Sequence, residues 1–302
     1  MQKTVLIIDD QKDQADNLAI ALRDVMPNFC FESYSLEPEI NSAIENRFYS
    51  LAIVDIRMDG FATDGIGIIK RIFEVNPFAQ VIVVSAFKDE YFRSLKEIML
   101  TGKVIDVLEK ERFKIWIPSL KEIIEKYYIK VDSDPSEINN ALLQFYAEAK
   151  NETDTYKKGE RFEHFISLLF QSFGYKEIRK RVVDKSLNEV DLIIRNETDD
   201  SFLSKFGKYI LIECKNKPDS AVSKNDFIVF HSKIENTNKL AELGIIATTG
   251  YISWNTYYEA VRTSKGDSKI IFLSNPEIER LITANDKKEE FKRLLDEQIK
   301  DN

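Results

Sequence analysis

The chain has 302 residues, which is more than one ordinary hydrophobic core needs and is typical of two domains. Its net charge is −8, and acidic residues outnumber basic ones on both sides of residue 130, which excludes a wholly basic nucleic-acid binder. No apolar run could span a bilayer and no signal peptide is recognisable, so we expect a cytoplasmic protein with no membrane partner. Two cysteines and two histidines are too few for a disulfide framework or a histidine-rich metal site.

The first 130 residues alternate short apolar runs with amphipathic stretches. The apolar runs predict strands at Val5–Ile8, Cys30–Tyr34, Leu51–Val54, Val81–Ser85 and Ile105–Leu108. The amphipathic stretches predict helices at roughly Ala15–Val25, Glu37–Glu45, Gly67–Val75, Glu90–Leu100 and Pro118–Tyr128. This alternation predicts an α/β fold with a doubly wound, five-stranded parallel sheet of the flavodoxin-like type.

Chemically active residues follow the strands of this predicted sheet. Asp9 and Asp10 follow the first strand and Asp55 follows the third, while Ser85 ends the fourth and Lys110 follows the fifth. We expect these residues to meet, because the carboxyl ends of parallel strands share one edge of a sheet. Three carboxylates would repel one another there unless a cation such as Mg²⁺ neutralised them. A carboxylate in that position can attack phosphorus, with the metal and a lysine balancing the charge.

This arrangement resembles the response-regulator receiver domain, over about residues 1–130. The resemblance implies that Asp55 is the phosphoacceptor and that a sensor histidine kinase is the phosphodonor. It also implies a Mg²⁺ site made by Asp9, Asp10, Asp55 and the backbone carbonyl of Arg57.

The same resemblance assigns the receiver's switch. Ser85 matches the Ser/Thr that contacts the phosphoryl group, and Lys110 matches the family's lysine. Two positions depart from the family pattern. Val107 stands where many receivers have a switch aromatic, and Glu111 stands where a proline usually follows the lysine.

The pattern changes near Lys130. Proline and small polar residues predict a break, with Ser136 as the N-cap of a helix to about Lys150 and a second hinge at Asn151–Asp154. A strongly periodic helix follows and ends at Gly174. Further strands are predicted at Asp191–Ile194, Tyr209–Cys214, Gly244–Thr248 and Lys269–Leu273, and a charged amphipathic helix at Lys287–Lys300. We therefore expect a receiver at 1–130, a helical linker at 131–155, a second domain at 156–285 and a terminal helix at 286–302.

The second domain contains an acid–acid–lysine pattern. The period of two along a strand puts Glu213 and Lys215 on the same face, and Asp191 begins another strand. Pairing of these strands would bring Asp191 beside Glu213. The two carboxylates and the carbonyl of Cys214 could then hold Mg²⁺, with Lys215 placed to orient or deprotonate the attacking water.

This pattern resembles the PD-(D/E)xK restriction-endonuclease fold in its Mrr-like branch, over about residues 156–283. The resemblance implies a mixed-sheet α/β domain that acts as a metal-dependent endodeoxyribonuclease. It assigns Asp191 and Glu213 as metal ligands, Lys215 as the catalytic lysine and Glu163 as an acid on the first helix. Val190 replaces the proline of the family's nominal motif.

One dense basic stretch lies between the first helix of this domain and Asp191. It is a candidate for contacts with the DNA backbone, although such runs are also found as solvated faces. Its members are Lys176, Arg179, Lys180, Arg181 and Lys185.

Together these patterns predict a homodimeric two-component response regulator whose phosphorylation gates a Mg²⁺-dependent DNA endonuclease. One alternative is a non-catalytic DNA-binding regulator that retains the nuclease fold. Another is an interaction module that uses the receiver only to form dimers. Phosphotransfer and cleavage assays distinguish the three.

Overall fold

The structure is a computed structural model that describes residues 3–86, 92–134, 136–175, 178–183, 189–198, 200–263 and 268–301. The chain divides into two units, Met1–Ala141 and Leu142–Asn302. Within the described part of the chain, no helix is both long and apolar enough to cross a membrane.

The first unit contains five strands and five helices. The strands are β1 (Lys3–Ile8), β2 (Phe29–Tyr34), β3 (Leu51–Asp55), β4 (Gln80–Ser85) and β5 (Val104–Glu109). The helices are α1 (Lys12–Val25), α2 (Glu37–Asn46), α3 (Gly65–Val75), α4 (Phe92–Met99) and α5 (Phe113–Ser133). All pairings are parallel, in the order β2-β1-β3-β4-β5, which confirms the predicted sheet.

Apolar clusters cover both faces of this sheet. One contains buried residues of α2, α3 and α4, such as Ile40, Ile69 and Ile98. The other contains residues of α1 and α5, such as Leu22 and Ile124. The central strand β3 is buried at every position, as expected for a parallel strand with helices on both sides. This packing holds the carboxyl end of β3, which carries Asp55, at one edge of the sheet.

Helix α5 corrects one prediction. The expected helix Pro118–Tyr128 extends over Phe113–Ser133. Trp116 and Ile117 are buried in the core, so their packing draws the turn before the proline into the helix. Pro118 lies in the second turn, where its missing N–H and its ring would normally favour a helix start or a kink.

The break predicted near Lys130 comes only at the end of this longer helix. Tyr128 donates a hydrogen bond of 3.0 Å to the carbonyl of Thr4, which holds the last turns of α5 against the sheet. Ser136, the predicted N-cap, is instead the first residue of the next helix. Its backbone N–H donates to Oδ1 of Asp134 at 3.0 Å, so an aspartate accepts the bond at this helix start.

The remaining elements form a second, mixed sheet with its helices. The strands are β6 (Ile178–Val183), β7 (Glu189–Arg195), β8 (Tyr209–Lys215), β9 (Ala221–Val222), β10 (Ala241–Thr248), β11 (Tyr251–Ile252) and β12 (Lys269–Leu273). The helices are α6 (Ser136–Asn151), α7 (Thr155–Ser172), α8 (Lys224–Glu235), α9 (Trp254–Thr263), α10 (Asn275–Thr283) and α11 (Lys287–Asp301). The order is β12-β10-β8-β7-β6, with β6 and β7 antiparallel to their neighbours, and β9 pairs separately with β11.

Helix α7 supports the mixed sheet with the predicted apolar stripe. Phe162, Phe165 and Leu169 on this helix are fully buried. Asp154 caps the helix, because its Oδ1 accepts hydrogen bonds of 3.0 Å from the N–H groups of Tyr156 and Lys157. The cap and the buried stripe fix the position of α7 against the sheet, and with it the position of Glu163 on the polar edge of the helix.

One edge strand of this sheet was not evident in the sequence, whereas the helix at the opposite edge was predicted. Strand β6 was not predicted, because Arg179, Lys180 and Arg181 interrupt its apolar pattern; charged residues are common on edge strands. Helix α11 closes the opposite edge. Gln298 on this helix accepts from the N–H of Phe272 at 2.8 Å and donates to its carbonyl at 2.7 Å.

Candidate functional site

Three carboxylates converge at one edge of the receiver sheet. Asp9 and Asp10 follow β1, and Asp55 is the last residue of β3. Asp9 and Asp55 are buried, and one ligand oxygen from each of the three residues lies within 4.8 Å of the others. This spacing suits the coordination of one small cation by oxygen ligands.

Backbone N–H groups and one glycine hold these carboxylates in place. Asp59 donates its N–H to Oδ2 of Asp10 at 3.0 Å, and Arg57 donates its N–H to Oδ1 of Asp55 at 3.3 Å. Gly65 begins α3 directly against this strand end, and a Cβ there would lie 2.0 Å from the carbonyl oxygen of Asp55. Only glycine permits that approach.

Lys110 supplies the positive charge of this site. Its Nζ lies 2.6 Å from Oδ2 of Asp9 and 2.5 Å from Oδ2 of Asp55, and it also donates to Oε1 of Gln14 at 3.0 Å. Burial raises the pKa of Asp55, while the lysine opposes that rise. Burial also disfavours the charged lysine, but its hydrogen bonds to Asp55 and Asp9 outweigh this and raise the pKa of Lys110. The lysine is therefore a cation shared by two acids.

The predicted switch residues lie around the same edge. Ser85 ends β4 and is buried, and its carbonyl accepts a hydrogen bond of 3.0 Å from the N–H of Lys110. Val107 is partly buried and packs on the core, so the position of the expected aromatic holds a small apolar side chain. Glu111 is exposed.

The second cluster depends on the pairing of β7 with β8. The antiparallel register joins Leu192 to Ile212 and Ile193 to Leu211. The ladder ends at the first of these pairs, and Asp191 and Glu213 are the next residues beyond it on the two strands. Oδ2 of Asp191 accepts a hydrogen bond of 2.7 Å from the N–H of Cys214.

The surroundings of Asp191 disfavour the charged form of its carboxylate. Burial, followed by the nearby charge of Glu213, raises the pKa of Asp191 to about 6, although the hydrogen bond from Cys214 opposes the shift. Burial raises the pKa of the Cys214 thiol well above its ordinary value, which disfavours the thiolate. Any metal ligand from Cys214 would be its carbonyl.

Two lysines hold the carboxylate of Glu213. Nζ of Lys215 lies 2.8 Å from Oε1, and Nζ of Lys233 lies 2.9 Å from Oε2. Burial disfavours the charge of Lys215, but the hydrogen bond and the charge of Glu213 outweigh this and raise the pKa of the lysine. Lys233 was not among the residues predicted from the sequence. Its only signal was a lysine on α8 directly before Ile234, beside the apolar stripe.

Glu163 lies on α7 and is paired with a strand residue. Its Oε2 accepts from Nε of Arg181 at 2.9 Å, and Arg181 also donates to the hydroxyl of Tyr156 at 3.1 Å. Burial raises the pKa of Glu163, with Arg181 opposing. Arg181 has a φ of 50° and interrupts the β6–β7 ladder at the position facing Asp191. Glu163 is thus held near the cluster but by a cation of its own.

The two clusters differ as cation sites. Among the described residues, only Asp9, Asp10 and Asp55 bring three acidic ligand atoms within 4.8 Å of one another. Asp191, Glu213 and Glu163 are more widely spaced. Their oxygen donors are of the type that Mg²⁺ prefers, and a cation would offset both the burial and the nearby charge of Glu213, which raise the pKa of Asp191.

The described residues of the predicted basic stretch do not form one surface, because each has different neighbours. Arg179 is exposed, Nζ of Lys180 lies 2.8 Å from Nδ1 of His164, and Arg181 holds Glu163. Lys176 and Lys185 lie outside the described residues. Of the described part of this stretch, Arg179 is the residue most accessible to a phosphate.

Comparison with known proteins gives two family matches. The model described as "Response regulator receiver domain" matches residues 5–113, and the model described as "Restriction endonuclease" matches residues 156–282. No curated protein matches the chain significantly.

Several solved receiver structures are similar to the first unit. A CheY-like receiver from Methanospirillum hungatei JF-1 is 19% identical with a TM-score of 0.36, over 43% of this chain and 99% of its own. A receiver from Methylobacillus flagellatus is 20% identical with a TM-score of 0.33, over 41% and 99%. The response regulator TrrA of Thermotoga maritima, solved with Mg²⁺ and BeF, is 19% identical with a TM-score of 0.33, over 40% and 99%.

The two family matches fall on the two sheets described above. The first covers the parallel sheet and the cluster around Asp55, and the second covers α7 to α10 and the cluster around Glu213. The chain therefore joins a response regulator receiver domain to an Mrr-type restriction endonuclease domain.

Proposed function

We propose that the chain is a response regulator whose phosphorylation at Asp55 controls Mg²⁺-dependent cleavage of DNA. The observation that carries the nuclease assignment is the pairing of β7 with β8, in which Asp191 accepts a hydrogen bond of 2.7 Å from the N–H of Cys214, next to Glu213, and Lys215 is bonded to Glu213 at 2.8 Å. A carboxylate pair with an adjacent lysine, inside a domain matched by a restriction endonuclease family, supports phosphodiester hydrolysis.

In the receiver, Asp55 would act as the nucleophile. One carboxylate oxygen attacks the phosphorus of acetyl phosphate or of the phosphohistidine of a sensor kinase. A P–O bond to Asp55 forms, and the bond between phosphorus and the acetate or histidine leaving group breaks. Asp9, Asp10 and the carbonyl of Arg57 would hold Mg²⁺ with Asp55, and this ion supplies neutralisation of the phosphoryl charge. Lys110 already lies against Asp9 and Asp55 and can pair with the new phosphoryl oxygens.

In the second domain, each residue of the cluster would have a separate role in hydrolysis. Asp191, Glu213 and the carbonyl of Cys214 would hold Mg²⁺, which lowers the pKa of bound water and offsets charge on the reacting phosphate. Lys215, which Glu213 holds in the ammonium form, orients the attacking water. Glu163 positions the cluster through Arg181. Arg179 contacts the DNA backbone.

Gating would follow from the phosphoryl group on Asp55. It draws in the hydroxyl of Ser85 and the ammonium of Lys110, which remodels the face made by β4, β5 and their helices. A dimer formed through that face brings two nuclease sites together, and cutting both strands of a duplex requires two sites.

Plasmid nicking tests this proposal. Supercoiled DNA is incubated with the full chain in Mg²⁺ or EDTA, with and without acetyl phosphate, beside Lys215→Ala. We expect nicking that needs Mg²⁺, increases with acetyl phosphate and is lost in the variant. Nicking by Lys215→Ala at the wild-type rate would show that the activity arises elsewhere.

One observation favours a second candidate, a non-catalytic DNA-binding regulator. Both carboxylate oxygens of Glu213 are engaged by lysines, so this acid must exchange a partner before it can bind a metal. Specific DNA binding without cleavage in Mg²⁺ or Mn²⁺ would support this candidate over the nuclease.

A further inference from the structure

A groove of about 450 Å³ lies on the second sheet, beside the carboxyl end of α8. None of its lining residues in the described part of the chain is acidic. Its apolar floor includes Val190, Ile193 and Leu211. Its cations are Arg179, Arg195, which also pairs with Glu197, and Lys233, which also pairs with Glu213.

Helix α8 leaves part of this sheet face uncovered, at Ile193 and Tyr209. The helix covers the adjacent part with buried Phe227, Phe230 and Ile234. Ile193 and Tyr209 remain only partly buried, although they belong to the same apolar cluster. Apolar surface in contact with water is unfavourable, so a ligand with a flat apolar face would gain by covering it.

The groove is continuous with the acidic cluster. Lys233 lines the groove and also lies 2.9 Å from Oε2 of Glu213. Leu211 lies on the same strand face two residues before Glu213, which corresponds to roughly 7 Å along β8. An occupant of the groove would therefore lie directly beside the proposed reacting phosphate.

The lining selects for a particular occupant. Arginine guanidinium groups bind phosphates and stack on nucleobases, and the amides of Asn236 and Asn238 are available along the rim for hydrogen bonds. The volume lies within the usual range for small-molecule sites, on the order of 300–1,000 Å³. A flat aromatic group that carries negative charge satisfies both the apolar floor and the cationic rim. A base that remains stacked in a duplex could not enter.

We propose that this groove binds one unstacked nucleotide of the DNA substrate, next to the phosphate that is cut. The preferred substrate is then DNA with an unpaired or easily flipped nucleotide, because such a base leaves the stack at the lowest cost. The proposal rests on the nuclease function for its biological meaning, but the binding step itself requires no cleavage.

Binding to two duplexes tests the groove. The duplexes are identical in sequence except for one bulged nucleotide, and dissociation constants are measured by fluorescence anisotropy with the full chain in EDTA. We expect roughly tenfold tighter binding to the bulged duplex, as one base gains a stacking site. A 2-aminopurine in the bulge should show fluorescence quenching when it stacks on the groove.

A pair of variants separates the groove from a general basic surface. Arg179→Ala/Arg195→Ala should abolish the preference for the bulge, whereas Arg262→Ala/Arg293→Ala removes two exposed arginines elsewhere in the same domain and should retain it. Equal binding of both duplexes by the wild type overturns the proposal. An equal loss for both duplexes in the first variant does so too, since contacts with phosphates alone weaken all DNA alike.

The nuclease function and the groove can fail separately. A bulge preference without any cleavage would refute the nuclease and leave the groove. Cleavage with no bulge preference would refute the groove and leave the nuclease.

Discussion

The receiver and the nuclease domain each place acids at a strand end, but they balance the charge differently. In the receiver, three carboxylates share one lysine, so the group has an excess of two negative charges. In the nuclease domain, three carboxylates face three cations: the acids are Glu163, Asp191 and Glu213, and the cations are Arg181, Lys215 and Lys233.

This difference indicates how each site would take up Mg²⁺. The receiver group gains neutrality from a divalent cation without breaking any pairing, because its ligand atoms already lie together. The nuclease group is already neutral, so a metal must compete with an ammonium for Glu213. We therefore expect tighter Mg²⁺ binding in the receiver, and a nuclease site that is completed only when DNA phosphate attracts a lysine away.

The largest expected effect is the loss of phosphorylation in Asp55→Asn. The amide is not a nucleophile at this position, so the variant should gain no phosphoryl mass from acetyl phosphate and Mg²⁺, whereas the wild type gains one. Intact-protein mass spectrometry measures both. Asp59→Asn is the matched control, since this nearby carboxylate is exposed and pairs only with Arg57. A full mass gain in Asp55→Asn would remove the phosphoacceptor assignment.

The next largest effect is expected in Lys215→Ala. Loss of this ammonium should reduce the Mg²⁺-dependent cleavage rate about 10²–10³-fold, the range for removal of one preorganised electrostatic donor. Lys217→Ala is the control, because Lys217 is exposed and is two residues further along the chain. Single-turnover rates on plasmid DNA measure the change, and circular dichroism shows whether the fold is retained. Equal losses in both variants would count against a specific role.

Lys233→Met tests the charge comparison directly. Removal of one ammonium from Glu213 leaves the nuclease cluster with a net negative charge, so its affinity for Mg²⁺ should rise on the order of tenfold. Isothermal titration measures this best in a chain that carries Asp10→Asn, where the receiver site is weakened. An unchanged affinity would mean that Lys233 does not compete with the metal.

Coupling between the domains should have a more moderate effect. Beryllofluoride, which occupies the phosphoryl position, should increase the molecular mass from monomer to dimer and raise double-strand cleavage several-fold, on the order of the 1–3 kcal/mol typical of coupled sites. Light scattering and cleavage rates measure the two effects. Val107 lacks the aromatic ring of many receivers, so we place the expected change at the low end. Constant mass together with constant rate would leave the receiver without a gating role.

Much of this arrangement could be predicted from the sequence, because strand ends are local features. Apolar runs in the sequence located β1, β3 and β8. Asp55 and Glu213 lie at or near the ends of two of these strands, so their positions could be predicted without knowledge of the tertiary structure. The spacing of Asp191 from Glu213 was sufficient for an antiparallel pair, and β7 and β8 do pair in that way. These inferences rest on periodicity, which is the strongest signal in a single sequence.

The features that were missed depend on packing between distant segments. Lys233 reaches Glu213 across 20 positions in sequence, and no local pattern indicates which acid a helical lysine will meet. Helix α5 starts before Pro118 because buried Trp116 anchors the turn, a tertiary effect that outweighs the proline. The described part of the basic stretch, Arg179 to Arg181, lies on an edge strand, where side chains alternate between faces.

The smallest expected effects come from two glycines that support the two sites differently. In Gly65→Ala a Cβ would lie 2.0 Å from the carbonyl oxygen of Asp55, so α3 must move, and the receiver should lose about 1–3 kcal/mol in its free energy of unfolding. In Gly159→Ala the nearest atom is 3.8 Å away, on Glu163, so the nuclease domain should gain about 0.5–1 kcal/mol from better helix propensity.

Denaturant unfolding of the full chain measures both changes, with the fluorescence of buried Trp116 reporting the receiver and far-ultraviolet circular dichroism reporting both domains. Gly65→Ala should also slow the phosphorylation of Asp55, because the displaced strand end alters the spacing of the three carboxylates. Gly159→Ala should leave cleavage unchanged, because α7 keeps its position and Glu163 keeps its bond to Arg181. A Gly65→Ala chain as stable as the wild type would show that the receiver edge tolerates movement. The two sites would then differ mainly in their net charge, and less in how tightly their backbones are packed.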